Sequence, residues 1–186
     1  MTITADTIPG YRTGTWTLDA AHSELTFSVR HLAISRVRGS FDDWTATVVA
    51  AESPEDSSVT ATVEVASVNT NNAPRDAHLR TSDFFLTEEH PQITFTSTGL
   101  SHDGSDFRLE GELTLRGVTR PVTIVGELGG ITTDGYGNIK AGASGSLVID
   151  RRDFGVNWNA PLEAGGLTLG DEVTISIEAQ FAHQPA

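Results

Sequence analysis

The chain has 186 residues, no cysteine and a formal net charge of −13. That length suits one domain with a substantial core, and the missing cysteines exclude disulfides, thiol catalysis and Cys-ligated zinc. So acidic a balance argues against non-specific binding to nucleic acid or to an anionic membrane surface, both of which need clustered Lys and Arg.

Residues 1–14 read as a polar, flexible lead-in, and 15–186 as one domain. Met1 to Gly10 carries neither a basic n-region nor an apolar h-region, and no run reaches the length of a membrane span. A cytoplasmic location is expected. A short strand starts at 15–18, and eight longer ones follow near 24–31, 36–51, 58–68, 92–100, 106–116, 120–130, 139–150 and 171–182. In five of these the apolar residues alternate with polar ones, as in half-buried strands. Leu25, Phe27, Val29 and His31 make one row; Val173, Ile175, Ile177, Ala179 and Phe181 make another. Short turn segments such as His102-Asp103-Gly104-Ser105 and Asp134-Gly135-Tyr136-Gly137-Asn138 join them. Sequential strands with short links predict an all-β, eight-stranded, up-and-down antiparallel barrel. The parity slips between Phe41 and Trp44, which places a β-bulge at Asp42-Asp43.

Gly111, Gly126, Ala141, Ala143 and Gly145 interrupt the bulky inward rows. Small inward residues in an eight-stranded barrel can leave room for one guest. Two segments leave the strand pattern, 69–91 and 151–170, and both are too long for hairpins. Pro74 suits a first helical turn, so a short helix near 75–85 is expected, with Leu79 and Phe84 or Phe85 turned inward over an opening. Phe154 and Trp158 mark the second segment as a packed lid.

The blocks Trp16–Leu32, Arg36–Phe41, Arg75–Arg80 with Asp83-Phe84-Phe85, His90–Phe95, Gly111–Thr119 and Arg152-Asp153-Phe154-Gly155 run in order along nearly the whole chain. In these the sequence resembles the YceI family of polyisoprenoid-binding proteins. The resemblance implies a lipocalin-like barrel whose interior takes an isoprenoid chain, such as a quinone or a polyprenyl phosphate, without catalysis. Many family members carry a secretory signal, which Met1 to Gly10 does not show.

On parity alone, ordinary core packing ranks ahead of a cavity; the resemblance reverses that order. The residues expected to line the cavity are Phe27, Val29, Phe41, Trp44, Phe84, Phe85, Phe95, Phe154 and Trp158. Arg75, Arg80 and Arg152 are the head-group candidates, because a guanidinium fork matches a phosphate. Ion pairing with Asp76 and Asp153 is the plainer reading of the Arg75-Asp76 and Arg152-Asp153 neighbours. His22, His31 and His78 lack metal-ligand spacing, so no metal and no cofactor are expected. Gly142-Ala143-Ser144-Gly145-Ser146 is not a nucleophile elbow, and no catalytic residue is assigned. The leading expectation is a non-enzymatic carrier or sequestering protein whose partner is the lipid, with homodimerisation left open. The alternatives are an enzyme acting on a small hydrophobic or lipidic substrate at the barrel mouth, or a packed-barrel, stress-linked interaction module.

Overall fold

The computed structural model describes residues 8–185. In chain order its strands are β1 (Gly14–Leu18), β2 (Glu24–His31), β3 (Ser35–Phe41), β4 (Trp44–Ala50), β5 (Ser58–Glu64), β6 (Val68–Asn69), β7 (Gln92–Asp103), β8 (Asp106–Leu115), β9 (Val118–Thr133), β10 (Ile139–Asp150) and β11 (Leu169–His183). The α-helix α1 (Ala73–Leu79) lies between β6 and β7.

Every strand pairing is antiparallel, and the sheet closes because β1 pairs with both β4 and β11. β1 and β2 serve as one wall strand. β11 runs past both, pairing Phe181 with Leu18 and then Ile177 with Leu25. The interruption is a 3-10 turn at Ala20–His22, capped by Asp19 accepting from the Ala21 amide at 3.2 Å. β3 and β4 are likewise one wall strand, broken at Asp42-Asp43 where the parity slips. There the Glu64 amide donates to the Asp43 carbonyl and the Asp42 amide to the Ser67 carbonyl, so both residues of the bend are tied to the neighbouring segment. With β5 and β7 to β11 these make an eight-stranded antiparallel barrel.

The expected helix at 75–85 is shorter and begins earlier. Asn72 caps it by accepting from the Arg75 amide at 3.0 Å, with Pro74 in the first turn. It stops after Leu79 because the Thr81 hydroxyl takes the His78 carbonyl at 2.7 Å, and the Phe85 amide takes that of Leu79. Residues 80–90 then fold into successive turns. β9 also runs beyond the expected 120–130, to Thr133, where the Asp134 carboxylate accepts from the Tyr136 and Asn138 amides and closes the turn.

Connectivity sorts the loops by end. The β2–β3 turn, residues 65–91, the β8–β9 turn and residues 151–168 gather at one end, the lid end; the β4–β5, β7–β8 and β9–β10 turns gather at the other. The best-buried side chains are Val65, Val68 and Phe154, at 1%, 2% and 2% exposure, and they sit at the lid end. Leu25, Phe27, Val29, Val173, Ile175 and Ile177 point inward by register, yet they are only half-buried. The lid end is plugged; the middle of the barrel is open.

Candidate functional site

The half-buried inner rows surround a cavity of about 600 Å³, within the usual ~300–1,000 Å³ of ligand pockets. All nine residues expected on its wall lie there, from Phe27 and Val29 on β2 to Trp158 in the second lid. Taking ~30 Å³ per carbon group by analogy with water, the space holds at least about twenty carbons. That is about four isoprene units.

The small inward residues create this room differently from the expected way. Gly39 lies beneath the ring of Phe27, whose Cζ is 2.5 Å from where a Cβ would stand. Phe95 covers Gly111 and Phe107 covers Gly126 in the same manner. The space expected at Gly111 and Gly126 is therefore already filled. Each glycine lets a cross-strand phenylalanine lie flat on the wall instead of projecting into the lumen. Ala141, Ala143 and Gly145 do line the cavity directly.

The two lids close on each other through aromatic contacts. His78 and Phe84 from the first lid meet Trp158 from the second, with ring centroids 5.0 and 5.3 Å away. Phe85 reaches the wall through Phe41, at 5.8 Å. Arg116, in the β8–β9 turn, donates to the Gly155 carbonyl of one lid at 2.6 Å and to the Ser82 carbonyl of the other at 2.9 Å. One side chain thus ties both lids to the barrel.

The head-group candidates divide. Arg152 is exposed and paired with Asp150 and Asp171, both at 3.3 Å, so the ion-pair reading holds there with different partners. Arg75 does not pair with Asp76. Asp76 is buried and accepts from the amide and hydroxyl of Thr70, while Arg75 donates to the Thr70 hydroxyl and carbonyl. The geometry that overrides sequence adjacency is the helix, which turns consecutive side chains about 100° apart. Arg80 braces the first lid by donating to the Ala66 and Val68 carbonyls. Of the three, Arg75 alone reaches the cavity wall.

The histidines scatter. His22 is exposed beside Asp19, His78 hydrogen-bonds Asp83 at 2.7 Å, and His31 lies on the cavity wall. Among the described residues no group of three or more His, Asp and Glu side chains is placed to hold a metal. His102, also on the wall, is different. Its Nδ1 faces the Gly104 carbonyl at 3.3 Å and must donate there, which leaves Nε2 an acceptor in the neutral ring. That Nε2 is buried without a partner.

Comparison with known proteins agrees with this architecture. The model of the YceI-like domain matches residues 16–181. The chain belongs to the YceI family. A UPF0312 protein of Staphylococcus aureus is 36% identical to it over 169 residues, covering 90% of this chain and 96% of that protein. The crystal structure of the Campylobacter jejuni YCEI protein superposes with a TM-score of 0.70 at 30% identity, covering 84% of this chain and 90% of that one. A polyisoprenoid binding domain from Saccharophagus degradans shares the fold, with a TM-score of 0.70 at 17% identity over 91% of this chain and 98% of its own.

In this YceI-like barrel, strand parity had already named most of the wall, whereas sequence reasoning missed Arg116 and His102. Arg116 stands before Gly117 in a tight turn and takes a positive φ of 50°; the turn was legible, the clamp was not. His102 sits among turn residues in sequence, and only the β-bulge between Ser97 and Gly99 brings it into register with the inner face. Among the described residues, no helix is long and apolar enough to cross a membrane.

Proposed function

We propose that the protein binds and carries, or sequesters, one isoprenoid lipid inside the barrel without changing it chemically. The observation that carries this reading is the cavity itself, apolar and covered by two lids that meet in an aromatic seam. Membership of the YceI family supports it, and the Saccharophagus neighbour is described as polyisoprenoid-binding. The tail is held by burial alone, at about 0.8 kcal/mol per CH₂ before ordering costs. The cavity also argues against a barrel that is merely packed. Arg75 is the residue for a phosphate head group. A polyprenyl phosphate gains at most about tenfold over a quinone of matched tail, because buried Asp76 stands beside the same Thr70.

Organic extraction of protein purified from its native cell, followed by mass spectrometry, is expected to recover a polyisoprenoid in stoichiometric amount. Incubation with that lipid is expected to return it unaltered. Empty protein that takes up no prenyl probe would sink the reading, and a converted lipid would replace the carrier with an enzyme.

A further inference from the structure

The β2–β3 turn at the lid end is unusual in composition and in backbone. Leu32 and Ala33 both adopt positive φ, 53° and 58°, where turns normally use glycine or asparagine. The turn points Ile34 into solvent at 82% exposure, with Leu32 beside it. The Leu32 amide donates to the Thr168 carbonyl at 2.8 Å, which brings the exposed Leu167 to the same place. Single exposed apolar residues are ordinary; three in one spot, on a strained turn, are not. This spot adjoins the cavity rim, because His31, Thr168 and Leu169 line the cavity.

Charge at the same ribbon runs against that of the chain. Arg30 pairs across the ribbon with Arg36, and Arg38 follows on the same outer face. Arg30 donates only to the Ala33 carbonyl, and Arg36 and Arg38 have no ion-pair partner among the described residues. Between Ser35 and Gly39, β3 pairs with no second strand besides β2 among the described residues. The same end carries acidic groups as well: Asp83, Glu88 and Glu89 in the first lid, and Asp153, Glu163, Asp171 and Glu172 in the second and on β11; Asp83 meets His78, and Asp171 is held by Arg151 and Arg152.

We propose that this tip docks the barrel mouth onto a bilayer containing anionic phospholipid. Ile34, Leu32 and Leu167 enter the headgroup region while Arg30, Arg36 and Arg38 meet lipid phosphates. The proposal rests on the isoprenoid reading of the cavity, since such a ligand resides in a bilayer and must pass between it and the lids. The net charge of −13 opposes adsorption of the chain at large but not of this tip. At ~3.3 Å per strand residue, the carboxylates of the far end stand on the order of 30 Å from a docked surface. At physiological salt, exposed charges more than ~8 Å apart are largely screened from each other.

The test is co-sedimentation of the full chain with vesicles of phosphatidylcholine, with and without phosphatidylglycerol, beside uptake of dansyl-farnesol in solution. The parent is expected to bind the phosphatidylglycerol vesicles and to release them at high salt. Arg36→Gln and Arg38→Gln should each weaken binding about fivefold, and Ile34→Asp should abolish it. All three variants should take up dansyl-farnesol as the parent does. Absence of vesicle binding, or binding indifferent to phosphatidylglycerol and to Ile34→Asp, overturns the docking while leaving the cavity reading intact. Failure of the parent to take up dansyl-farnesol, with vesicle binding preserved, sinks the cavity reading and with it the transfer role of the tip.

Discussion

Ala143 on β10 gives the sharpest test of where the tail lies. Its register partners are Ala179 on β11 and Leu128 on β9, and all three line the cavity. A phenylalanine placed there has no glycine opposite to lie over, unlike Phe27 above Gly39 or Phe107 above Gly126. The ring of Ala143→Phe must stand in the lumen. Six ring carbons at ~30 Å³ each remove about 180 Å³ of the roughly 600 Å³ available. That is the space of about one isoprene unit, whose five carbons are worth about 4 kcal/mol when buried. The affinity of a long prenyl ligand is expected to fall by up to about a thousandfold. A second readout is independent of absolute affinity. In the parent, affinity rises with tail length and levels off at about four isoprene units, whereas in Ala143→Phe the plateau comes at about three. Calorimetric titration with a series of prenyl alcohols measures both. Overpacking costs roughly 1–3 kcal/mol, so a cooperative melt must accompany the titration. Val148→Phe, on the exposed outer face of the same strand, serves as the control. A folded Ala143→Phe protein with the parent's affinity and plateau would show that the tail lies elsewhere.

Arg116→Ala removes the tie between Gly155 and Ser82; amide exchange in 80–90 and 151–168 should quicken selectively, and ligand entry with it. Gly39→Ala forces the Phe27 ring off the wall, with a destabilisation of roughly 1–3 kcal/mol in denaturant titrations and a loss of ligand capacity. His102→Leu replaces an unpartnered buried nitrogen, so the empty protein should melt higher, by about 1–3 kcal/mol in stability. Any preference for a prenyl alcohol over its hydrocarbon should vanish with it. The hydrogen bond from Lys140, at 2.8 Å, and then that from His22 hold the Asp19 carboxyl below its ordinary value. A depressed carboxylate contributes stability above its unfolded value of about 3.9 that is lost as pH falls through the lower folded one. The stability gap between the parent and Asp19→Asn should therefore be wider at about pH 5 than below about pH 4, as chemical denaturation across that range would show.

Strand parity, turn residues and the Asp42-Asp43 slip were enough to specify the barrel, because a period of two and a bulge are local properties of a chain with one buried face. The aromatic lid residues were legible for a similar reason: long segments rich in Phe and Trp must bury them somewhere. Three things were settled only in three dimensions. The merging of β1 with β2 depends on β11 spanning both halves. Whether the glycines open space or seat a ring depends on which side chain the neighbouring strand sets opposite, and register between strands far apart in sequence is a tertiary quantity. The partners of Arg116, in two lids far from it in the chain, follow the same rule. Polar groups in a closed barrel are satisfied by whichever carbonyl or carboxylate the fold brings within reach, whatever stands beside them in the chain.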